Sequence, residues 1–218
     1  AVRRFITTLP AEDRVGFVTA LPAIYQRVPD KAEAATVVER GLSDAVKDPA
    51  LAPAAWTSIG RMRLQAGDKA GALSAATLGQ TANAESEWPA LLALQLLGAN
   101  EPKAEALVKR YLSSSAAKPE VNIGYARTLV ELGRNKDAHA ELARMTQQAP
   151  NAPDAWLVQG ALFADERQAP QAETALQRYL DLTSRPASET GVDRRAGRDQ
   201  ARMMLARLAE SRGDLARA

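Results

Sequence analysis

The side chains able to do chemistry are few and scattered. His139 is the sole histidine and there is no cysteine. Disulfides, thiolate metal sites and Cys nucleophiles are therefore absent, and His-pair metal motifs and His-relayed catalysis lack their parts. His139 lies in the run KDAHAEL with no partner cluster beside it, so it reads as an exposed helix histidine. The carboxylate pairs Glu85/Glu87 and Asp165/Glu166 fall near helix starts and turns, where acids complement the helix dipole. Glycines occur singly, so no phosphate-cradling loop is present. The chain thus offers no catalytic, cofactor-binding or metal-ligating residue, and the expectation is a protein that is not an enzyme. One charged feature stands out. Residues 185–218 hold eight Arg, no Lys and five acids, with Arg194, Arg195, Arg198 and Arg202 close together. Such a cluster suits an acidic or phosphate-bearing partner, and equally the solvated face of a long helix.

The elements that would position these residues are helical. Of 218 residues 46% are hydrophobic but only 5% aromatic, and 45 are alanine, the best helix former. Net charge is +2, so the pI near 9.0 comes from a near-balanced chain, and no nucleic-acid partner is implied by bulk charge. Apolar runs fall far short of the ~20 residues that span a bilayer, so this segment is not expected to insert directly into a membrane. No N-terminal signal is visible.

Self-comparison organises the chain. Trp88 and Trp156 are separated by 68 residues, twice 34, and Asn122 stands halfway. Trp56 precedes Trp88 by 32. Along this frame run a column of alanines (Ala72, Ala104, Ala138, Ala172), a second column (Ala76, Val108, Leu142, Leu176) and a third (Gly79, Tyr111, Met145, Tyr179). Small residues follow the Trp slot at Gly60, Ala126 and Gly160, with Leu92 the exception. Turn residues fall between the halves at Gly67-Asp68, Ala99-Asn100, Gly133-Arg134-Asn135 and Arg167-Gln168. PKAEALVKRYL at 102–112 echoes PQAETALQRYL at 170–180.

This pattern resembles the tetratricopeptide repeat family. Matching residues are Tyr125, Ala126, Leu129, Gly133, Ala138, Leu142 and Pro150 in one unit, and Trp156, Gly160, Phe163, Ala172, Leu176 and Tyr179 in the next. The resemblance implies an all-α fold, a right-handed α-solenoid of stacked antiparallel helix pairs. Units are expected at 1–14 (partial), 15–48, 53–84, 85–118, 119–152, 153–186 and 199–218 (partial), with an insertion at 187–198. Both ends read as cut mid-repeat, as in a fragment of a longer protein. In 153–186 the helices are predicted at 153–166 and 170–182. Pro22 predicts a kink or helix end in the first helix of 15–48. Ala172→Leu is expected to overpack a helix crossing by about 1–3 kcal/mol, and Trp156→Ala to cost about 3–5 kcal/mol if the ring is buried.

In this family the first helices line a concave groove, and by phase the resemblance places Thr57, Arg61, Leu64, Gln65, Ala93, Leu97, Ile123, Arg127, Glu131, Leu157, Ala161 and Asp165 there. With Arg194, Arg195 and Arg198 these are the candidate partner-binding residues. The Lys and Asn set by which some family members grip chaperone C-termini is absent from the corresponding positions. The reading is a scaffold or adaptor binding a protein or peptide, without cofactor. The Ala- and Arg-rich repeats look similar to those of large proteobacterial cell-envelope members, which implies a periplasmic or outer-membrane-anchored protein recruiting a protease, cell-wall enzyme or export machinery. The alternatives are a helical accessory domain of a larger enzyme and a cytoplasmic regulatory module. A homo-oligomer through uncapped terminal helices is a further expectation.

Overall fold

The computed structural model describes residues 2–27, 31–184 and 193–211. Among them are twelve α-helices, one short 3-10 turn at Pro102–Ala104, and no strand. The chain divides into two compact units, residues 1–121 and 122–218.

The first unit contains α1 (Val2–Thr8), α2 (Ala11–Gln26), α3 (Lys31–Ala45), α4 (Ala52–Gln65), α5 (Lys69–Ala82), α6 (Glu87–Gly98) and α7 (Glu105–Leu112). Helices α4 and α5 pack as a hairpin, α6 packs on both, and α7 returns along α6. On the other side α2 packs against α4. The α1–α4 end is filled by a core that includes Val18, Leu21, Leu42 and Ala55. The buried Ser58 hydroxyl donates to the Val18 carbonyl at 2.8 Å, linking α4 to α2.

In the second unit lie most of α8 (Pro119–Glu131), then α9 (Asn135–Gln148), α10 (Pro153–Asp165), α11 (Ala169–Leu182) and α12 (Arg195–Ser211). Helices α10 and α11 form a hairpin, with α9 on α10 and α12 against both helices of the hairpin. Its core includes Leu157, Ala172, Leu176, Tyr179, Ala201 and Leu208. The predicted pair at 153–166 and 170–182 is therefore present as α10 and α11.

All four expected mid-repeat turns share one backbone device. Gly67, Asn100, Gly133 and Arg167 each have positive φ, between 59° and 84°. At each, the following residue's N–H reaches back over the helix end: Asp68 to Arg63, Glu101 to Leu96, Arg134 to Leu129, Gln168 to Phe163. This is the left-handed closure that satisfies the last carbonyls of a helix. Glycine adopts it without strain, asparagine nearly so, and arginine at a cost. Starts are marked too. Asp68 caps α5 by accepting the Gly71 N–H at 2.7 Å, while Pro53 and Pro153 sit in the first turns of α4 and α10, where proline loses no helical bond.

The small columns allow close crossing. A Cβ on Gly160 would lie 2.7 Å from Leu176 Cγ, and one on Gly60 would lie 2.2 Å from Leu92 Cδ2. Ala72, Ala104, Ala138 and Ala172 are all fully buried, as are Tyr111 and Tyr179. Two expectations are corrected. Trp156 is half-buried, because its indole N–H reaches outward to the Pro150 carbonyl at 3.0 Å, so full burial cannot set the cost of its removal. Pro22 does not end helix α2, which continues to Gln26. Of the expected 187–198 insertion, residues 187–192 lie outside the described residues.

Candidate functional site

In the second unit five of the phase-assigned groove residues come together. Arg127 and Glu131 of α8 and Leu157, Ala161 and Asp165 of α10 line one open cleft of about 310 Å³. Their spacing of four puts each set on a single helix face. Val130, Val158 and Leu162 complete the apolar floor and Gln200 of α12 the rim. Arg127, Glu131 and Asp165 are exposed while Leu157 and Leu162 are buried, so the cleft is a greasy trough with a charged edge.

The other candidates are placed differently. Ile123 is buried and does not line the cleft. Thr57 is fully buried, its hydroxyl donated to the Pro53 carbonyl at 2.8 Å; it belongs to the core and to no surface. Ala93 and Leu97 are buried as well. Arg61 is half-buried, and its Nε is enclosed without an acceptor among the described residues. Burial accordingly pushes the guanidinium pKa down. Gln65 is exposed and lines a larger cleft, of about 650 Å³, in the first unit.

The C-terminal arginines differ in their settings. Arg194 is bound to Asp154 at 2.6 Å, fastening the start of α12 to the start of α10. Burial opposes its charge, but the Asp154 hydrogen bond and charge outweigh this and raise its pKa. Arg198 is half-buried with an enclosed Nε that has no partner among the described residues, Arg195 is exposed, and Arg202 faces Asp199 at 3.5 Å.

His139 corrects an expectation. Rather than standing exposed, it is half-buried, with its ring 4.7 Å from that of Phe163 and Nε2 2.8 Å from Glu166 Oε2. Glu166 also accepts from Asn135 Nδ2 at 2.9 Å and Gln168 Nε2 at 3.0 Å. The His139 bond is the largest cause that holds the Glu166 carboxyl below its usual pKa. Sequence spacing could not show this network, because its members come from two helices and a turn. Among the described residues no group of three or more metal-ligating side chains gathers, and no helix is long and apolar enough to cross a membrane.

Helix hairpins in series, with small crossing columns and left-handed turns, define the class of helix-hairpin repeat proteins. Residues 100–162 match the family model described as Tetratricopeptide repeat. Among solved structures, the chain is similar to PilW, titled a widely conserved type IV pilus biogenesis factor. The TM-score is 0.54 at 16% identity, over 94% of this chain and 88% of that one. Pseudomonas aeruginosa PilF is similar at TM-score 0.45 and 18% identity, over 82% and 89% of the two chains. No curated protein matches. The fold is consistent with a protein-interaction scaffold.

Proposed function

We propose that the chain is a non-enzymatic scaffold or adaptor that binds a protein or peptide through the cleft between α8 and α10. The observation that carries the reading is the convergence of Arg127, Glu131, Leu157 and Asp165 on one trough. An apolar floor with a charged rim is the anatomy of a protein-binding surface, and in this fold it is built from first helices alone. In this reading the chain belongs to a longer bacterial envelope protein, periplasmic or outer-membrane-anchored, which recruits a protease, a cell-wall enzyme or export machinery. Pilus biogenesis, named for PilW, is envelope assembly of that kind. Affinity capture with the folded protein tests the cleft. Arg127→Glu and Glu131→Arg both change exposed side chains, so folding is spared. Loss of one specific partner with both variants supports the assignment; undiminished capture of every specific partner overturns it.

A further inference from the structure

The cleft of the first unit is a second site, and of the phase-assigned groove residues Gln65 lines it. It opens between α3 and α4 beside the end of α2. On α4 it uses the stripe Trp56, Ile59, Met62 and Arg63, a different face from that of Thr57 and Arg61. Trp56, Ile59 and Met62 are half-buried, whereas Arg63 and Ala66 are exposed. One hundred residues later the same frame holds Trp156, Gln159, Leu162 and Phe163 on α10 and Glu166 just after it. There the slot beside the preceding helix is filled from within, by the Phe163 ring on His139 and by Glu166 bonded to His139 and Asn135. In the first unit Arg63 and Ala66 stand at those two positions, and about 650 Å³ is left open, within the usual range of ligand sites.

One further feature specifies the occupant. At the mouth Gln26 Nε2 donates to Gln65 Oε1 at 3.1 Å. The pair leaves Gln65 Nε2 and Gln26 Oε1 without a partner among the described residues, one donor and one acceptor side by side. A peptide backbone carries the complementary acceptor and donor on every residue. We infer that this cleft binds an extended peptide segment of a partner protein, which inserts one large apolar side chain where the second unit uses Phe163 and bonds its backbone to the Gln26–Gln65 pair. The lining sets Glu39, Ser43 and Arg63 beside Val46, Ile59 and Met62, so a glycan is the competing occupant that the test must exclude. This site is independent of the α8–α10 cleft, so either can fail alone.

The test selects binders from a display library of short random peptides on the folded protein and follows Trp56 emission with Trp88 and Trp156 replaced by Phe. Selected peptides should share one aromatic or large aliphatic position, shift Trp56 emission, and bind about five- to tenfold more weakly to Gln65→Ala. Gln65 is exposed, so that variant keeps its fold. Combining Glu39→His, Arg63→Phe and Ala66→Glu, Glu39 being the counterpart of His139, installs the second unit's filling and should abolish binding without lowering the melting temperature. Glu131→Arg should leave binding unchanged. The inference is overturned if the selected peptides share no apolar position. It also fails if they bind the filled variant as well as wild type, or if only a chitin oligosaccharide shifts Trp56.

Discussion

Hairpins α4–α5 and α10–α11 occupy the same frame one hundred residues apart, and they solve the same packing problem with opposite side chains. In α5 the inward positions are Ala76 and Gly79; in α11 they are Leu176 and Tyr179. A Cβ on Gly79 would sit 3.2 Å from Trp56 Cβ and 3.0 Å from Pro89 Cγ, so the neighbouring helix start comes in close. Tyr179 instead fills its gap and meets a glycine on the next helix: a Cβ on Gly197 would lie 2.2 Å from the Tyr179 hydroxyl. Bulk has moved from one helix to the next while the hairpin is kept. The repeat therefore conserves how volume is shared at each crossing, and not which helix supplies it.

The largest test of this contrast is Tyr179→Ala. The ring is 2% exposed, and its loss should cost about 3–5 kcal/mol, read from urea-unfolding midpoints. An unchanged midpoint would mean that α12 does not depend on that ring. Next come the crossing glycines. Gly160→Ala should cost about 1–3 kcal/mol, because its Cβ meets Leu176 at Cγ and at the backbone nitrogen. Gly60→Ala should cost less, since its one clash below 3 Å is with the far end of Leu92, the Ala75 Cβ and Ala72 carbonyl oxygen standing at 3.2 and 3.3 Å. Equal losses would show that both crossings are equally rigid.

The turns give a smaller and two-sided effect. Gly67→Ala forces a side chain into the left-handed region and should lower stability by about 1 kcal/mol. Arg167→Gly relieves the same strain, φ being 59° there, and should raise it by a similar or smaller amount. Thermal melts of the two variants should move in opposite directions. The last test concerns acid. Because Glu166 titrates lower folded than its usual 4.5, its network contributes stability above about pH 4.5 that is lost as pH falls through the lowered value. Glu166→Gln should therefore melt below wild type near pH 6, with the gap closing as the pH falls below that usual value. A constant gap would mean the carboxylate charge is irrelevant.

Helix pairing, the alanine columns and the four turns were legible in the sequence because each rests on local periodicity or on a residue suited to one backbone conformation. Arg167 shows that even a poor residue for the turn was located by its phase. The groove assignment rests on helix phase, which brings Arg127, Glu131, Leu157 and Asp165 onto one cleft. It failed for Thr57, whose hydroxyl is satisfied within its own helix, so a polar type was mistaken for an exposed one. The His139 network and the first unit's cleft were invisible for a common reason. Both depend on which side chain of one helix meets a gap in another, and no single-helix period encodes that.

The four left-handed turns have a consequence for how the chain folds. Each closes its hairpin with backbone bonds across five residues, so helix pairing begins with contacts close in sequence and small loop-closure entropy. A hairpin can then form before its neighbours are in place, as it emerges from synthesis. Drift in side-chain identity between repeats, such as Tyr179 for Gly79, is thereby uncoupled from the step that sets the topology.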